Sequence, residues 1–141
     1  MRKKKTRIVL LTVVCVILLC GGIYAFTPAG MHDRGFSKCE NVFSAQKAEL
    51  NAALPTLTAL AGTTEDAQPV GKNLYAYIHG SSSDSCVVDF PLSNVGDFYQ
   101  NSYIHGLLWT TDSNSVVEQN PNITLLHLEG NWYSYGLVKP Q

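Results

Sequence analysis

The chain has 141 residues, of which 45% are hydrophobic and 15% charged, with four cysteines. That suits one domain and argues against two, against a highly charged disordered chain and against a disulfide-dense mini-protein. The net charge of −1 hides an asymmetry. Five basic residues (Arg2, Lys3, Lys4, Lys5 and Arg7) occupy the first seven positions, whereas the segment from residue 27 carries five basic and eleven acidic residues, a balance of −6. A nucleic-acid-binding domain needs a basic face, so the partner expected here is not nucleic acid.

Residues 8–26 form a run of 19 residues without a charge. As a helix the run measures about 28 Å, close to the ~30 Å hydrocarbon core of a bilayer. It reads as a transmembrane signal-anchor behind a cytoplasmic basic segment, residues 1–7. A secretory signal peptide has the same order of parts, although its apolar region usually spans about 7–15 residues. Leu19 stands before Cys20, where a lipoprotein signal would place a small residue, which argues against lipidation. The positive-inside bias then places the rest of the chain outside the cytosol. The expected location is the bacterial inner membrane, single-pass, with the C-terminal domain in the periplasm. Cleavage would instead make the domain a secreted one.

Residues 27–36 contain Pro28, Gly30 and Gly35 and read as a linker. The extracytoplasmic domain is then residues 37–141. Cys39, Val42, Phe43, Leu50, Leu54, Leu57 and Leu60 recur at three, four and seven residues, the signature of one buried helix face. Ser37 and Glu40 have the spacing of a capping box. Pro55 should kink or split this helix, and Gly62 should stop it. Residues 63–71 read as a polar loop.

Beyond it the pattern alternates with period two. Strands are expected over Leu74–Ile78, Cys86–Phe90, Tyr103–Thr110, Ile123–Leu128 and Trp132–Val138, the last two joined by a tight turn at Gly130-Asn131. Ser115–Glu118 is a candidate edge strand. The fold class is α+β: an N-terminal membrane helix, then one helix packed on an antiparallel sheet of about five strands. Cys15 and Cys20 lie within the apolar run. Cys39 and Cys86 are then the pair expected to form a disulfide clamping helix to sheet, with a stabilisation of ~4 kcal/mol.

The tetrapeptide Tyr77-Ile-His-Gly80 recurs unchanged as Tyr103-Ile-His-Gly106. One reading brings His79 and His105 together on a metal ion with Asp84 or Glu129, although strand-borne ligands at this distance have no diagnostic spacing. No nucleophile elbow and no phosphate-binding glycine loop is present, so neither catalysis nor a cofactor is expected. Aromatic residues, Phe98 and Tyr99 among them, concentrate in the β-rich half. Alternation turns Leu74, Ala76 and Ile78 to the helix and Tyr75, Tyr77 and His79 away from it. If Tyr103 and His105 join them, the two copies build one Tyr/His patch suited to recognition. The function expected is that of a membrane-anchored binding domain acting by protein–protein interaction, possible roles being inhibitory, immunity-type or assembly-accessory, with another envelope or extracellular protein as partner. The alternative is a ligand- or metal-binding ectodomain using the same face.

Overall fold

The computed structural model describes residues 2–64, 66–71, 73–96 and 102–139. Phe98 and Tyr99 lie outside the described residues. Helix α1 (Arg2–Ala25) leads into helix α2 (Pro28–Ala59), and strands β1 (Gln68–Val70), β2 (Leu74–Gly80), β3 (Cys86–Gly96) and β4 (Ser102–Thr110) follow. A short helix, α3 (Ser113–Gln119), precedes the strands β5 (Ile123–Glu129) and β6 (Trp132–Lys139). The six strands form one antiparallel sheet in the order β1-β2-β3-β4-β6-β5. The α+β class holds, with six strands among the described residues instead of about five. The extra strand, β1, lies in the stretch read as a polar loop and pairs Gln68 with Ala76 and Val70 with Leu74.

The expected linker is helical. Thr27 accepts a hydrogen bond from the Gly30 N–H at 3.1 Å and Pro28 occupies the first helical position, so α2 begins nine residues before Ser37. A proline at that position gives up an N–H that would have no intrahelical partner anyway. The helix also runs through Pro55 without splitting and ends at Ala59. Ser115–Glu118 is the core of α3 instead of an edge strand, because Asp112 caps it by accepting from the Ser115 N–H at 3.1 Å.

One face of α2 lies across the sheet. Phe43, Leu50 and Leu57 pack against Ala76, Val88, Phe90, Leu107 and Trp132. The Trp132 ring packs against both Phe43 and Phe90, with centroid distances of 5.5 and 5.6 Å. The buried indole N–H is satisfied by Asn51 Oδ1 of α2 at 2.9 Å, which links helix to sheet at the centre of the core. Cys39 and Cys86 are both in this core, and both are free thiols. The expected disulfide is absent: facing layers put two cysteines in one core without bringing the sulfurs to bonding distance. Burial raises the Cys39 thiol to about 11.

Helices α1 and α2 meet at 77°. Three side chains tie the elbow. The Thr27 hydroxyl donates to the Tyr24 carbonyl at 2.7 Å, the Tyr24 hydroxyl donates to Asp33, and Arg34 donates to the Ala25 carbonyl. Among the described residues no single helix is long and apolar enough to cross a membrane; Leu10–Ala25 and Ala29–Ala59 meet that measure only as a bent pair.

Candidate functional site

Residues directly opposite one another on neighbouring strands share a sheet face, so the register sorts the side chains. Tyr77 pairs with Asp89, Asp89 with Leu108 and Leu108 with Tyr133. These residues, with Tyr75, His79, Val87, Ile104, Tyr135 and Leu137 at even offsets along the same strands, make the face that α2 leaves open. Tyr75 and Tyr77 are exposed there, at 56% and 38%.

Tyr103 and His105 have the other parity. They face α2, and His105 has no exposed surface. The single Tyr/His patch therefore does not form: the repeated tetrapeptide sits in β2 and β4 with opposite faces outward. The metal reading fails as well, because His79 and His105 are on opposite sides of the sheet and cannot converge. No group of three or more metal-binding side chains occurs among the described residues.

What the register builds on the open face is a cleft of about 610 Å³. Tyr77 and His79 of β2 line it together with Val116 and Gln119 of α3 and Asn120, the residue that caps α3. Val87, Ile104, Leu108 and Leu137 supply apolar walls. Asp89 and Tyr135 also line it, and they form its polar centre. The Tyr135 hydroxyl and the Asp89 carboxylate are neighbours that act on one another's titration. Asp89 Oδ1 is sealed from solvent and has no hydrogen-bond partner. Burial dominates the titration of both groups. It pushes the carboxyl up to about 6 against the opposing effects of the Tyr135 hydroxyl and the His79 charge. It raises the Tyr135 hydroxyl as well, with the neighbouring carboxylate acting in the same direction.

A second polar cluster lies under α2, near the elbow. His105 Nε2 and His32 Nδ1 are 3.1 Å apart, with Tyr103 and Phe36 edge-on to the imidazoles. Glycines make the space. A Cβ on Gly35 would overlap the His105 ring, and one on Gly136 would stand 2.7 Å from His32 Cε1. His105 Nδ1 is buried without a partner. Burial lowers the proton affinity of both histidines, and the His32 charge lowers that of His105 further.

Sequence reasoning placed Tyr75, Tyr77 and His79 correctly on one outward face but missed Asp89, Tyr135 and His32. Asp89 carried a signal, since it is the lone acid in the otherwise apolar stretch Cys86–Phe90. His32 was obscured by the linker reading, although it sits four residues before Phe36 and seven before Cys39, continuing the helix face. No protein family, curated protein or solved structure matches the chain.

Proposed function

We propose that the chain is a membrane-anchored extracytoplasmic binding domain whose open sheet face receives a ligand. The observation that carries this reading is the cleft. Its volume falls within the roughly 300–1,000 Å³ of small-molecule sites, and it combines apolar walls with one convergent polar pair. Anchoring is supported at the other end of the molecule: Leu11 and Leu18 of α1 are 71% and 68% exposed, so the fold leaves their apolar surface uncovered. The basic residues before them favour a cytosolic N-terminus and a periplasmic domain.

A second reading, docking of a partner protein, draws on the exposed rings of Tyr75 and Tyr77 beside the cleft. Rigid aromatic side chains with a polar tip are favoured at such interfaces. The two uses separate experimentally. A set of fluorinated fragments screened by 19F line broadening against the full chain in nanodiscs, with empty nanodiscs as blank, should give hits that Val87→Phe abolishes by filling the cleft. Hits unaffected by Val87→Phe, or none at all, overturn the ligand reading. A photo-crosslinker at position 75 that captures a discrete protein, with none captured from position 41 on the exposed side of α2, would then favour docking.

A further inference from the structure

We propose that the ligand of this cleft is an organic amine, its ammonium group held by Asp89 and Tyr135 and its apolar body by the aliphatic walls. The inference rests on the ligand reading above and names the chemistry of the occupant. A carboxylate at the centre of an apolar cleft is costly unless it is paired. The protein itself supplies only part of that pairing. The Tyr135 hydroxyl is a neighbour of the carboxylate, while Oδ1 has no hydrogen-bond partner. No lysine or arginine lines the cleft among the described residues, which leaves the charge of His79 as the nearest cationic influence. The missing partner is therefore a donor, and a positively charged donor restores both the hydrogen bond and the charge balance.

The geometry also excludes the competing chemistries. An anionic ligand would meet a carboxylate with no lysine or arginine in the lining to offset it. A neutral apolar ligand would leave the orphaned oxygen without a partner. Polyamines spread charge along their length and would leave ammonium groups against Val87, Ile104 and Leu108. A single ammonium on an aromatic or branched aliphatic body matches the distribution of walls and centre. Rotation about the last torsion of Asp89 is broad and two-fold, so either oxygen can be turned to the ligand.

The test titrates the full chain in nanodiscs with 4-fluorophenethylamine, 2-(4-fluorophenyl)ethanol and 4-fluorophenylacetate, read by 19F NMR. The amine should bind about tenfold or more tightly than the alcohol, the gain expected of one charge-assisted hydrogen bond, and the acid should not bind. Asp89→Asn keeps the side-chain shape and should erase the difference between amine and alcohol. Val87→Phe leaves the carboxylate in place and should abolish binding of both. Equal binding of amine and alcohol that Val87→Phe removes would overturn the amine assignment and leave the ligand-binding cleft standing. An amine preference that survives Asp89→Asn would also overturn it. Failure of every fragment, in the screen and here, would overturn both readings together.

Discussion

The Tyr135 ring lies over Gly106, its cross-strand partner, so that a Cβ on Gly106 would stand 2.7 Å from the Tyr135 hydroxyl and 2.5 Å from the Phe90 carbonyl. The absence of a side chain on β4 is what allows a tyrosine on β6 to reach across to Asp89 on β3. The glycine of the second tetrapeptide thus has a role in the polar centre of the cleft, whereas the glycine of the first closes β2.

Gly106→Ala should therefore act through Tyr135. The new methyl meets backbone as well as ring, so the substitution should destabilise by about 1–3 kcal/mol, in the range of other overpacked sites. Chemical denaturation measures the cost. A simultaneous rise in Tyr135 ring mobility by NMR, without loss of the α2 core, would place the effect on the open face.

Asp89→Asn should stabilise the protein at neutral pH. The folded carboxyl titrates near 6 and the unfolded one near the ordinary ~3.9, so the folded state binds the proton more tightly. Its ionised form then costs stability that is fully felt above about pH 6 and fades as pH falls towards 4. Removing the charge should add on the order of 1–3 kcal/mol at pH 7.5 and little at pH 4. Urea midpoints at the two pH values check the sign. A destabilised variant at pH 7.5 would mean that the carboxylate has a partner on its buried oxygen.

The histidine pair predicts the opposite dependence. Both folded-state proton affinities lie below the ordinary value of about 6.5, so the unfolded chain takes up protons first as pH falls through that value. Stability contributed by the neutral pair is present above about pH 6.5 and is lost progressively below it. Measured in the Asp89→Asn background, which removes the opposing carboxyl, the unfolding free energy should decline from pH 7 to pH 5. His32→Gln should flatten that slope. An unchanged slope would assign the acid sensitivity elsewhere.

The cysteines should behave as buried thiols. Cys39 is fully buried with its thiol raised to about 11, so native protein should not react there with a maleimide at pH 7, and unfolding should expose it. Reductant should leave the melting temperature unchanged. A loss of stability on reduction would establish a bridge between Cys39 and Cys86.

Leu50→Ala should cost about 2–5 kcal/mol, since Leu50 is fully buried where α2 crosses the sheet. Tyr75→Ala, on an exposed ring of the open face, should cost far less. Comparable losses for the two would contradict the division of faces.

Much of this architecture could be read from residues close together in the chain. Alternation in Leu74–Ile78 assigned β2 its two faces, the spacing from Cys39 to Leu57 assigned α2 its buried side, and Gly130-Asn131 marked the β5–β6 turn. Even the true start of α2 was written locally, in Thr27-Pro28, although the nearby glycines obscured it. Local periodicity has this power because an element must turn its apolar side chains to one side wherever it packs. It cannot say which face of one strand lies beside which face of the next. That depends on register, and a shift of one residue exchanges the faces. Register put Tyr77, Asp89 and Tyr135 on the open side and sent Tyr103 and His105, identical in local sequence to Tyr77 and His79, beneath α2 against His32. The cleft exists only because residues 77, 89 and 135 are brought to one face across four adjacent strands, β2, β3, β4 and β6, a proximity fixed by hydrogen-bond ladders between distant segments.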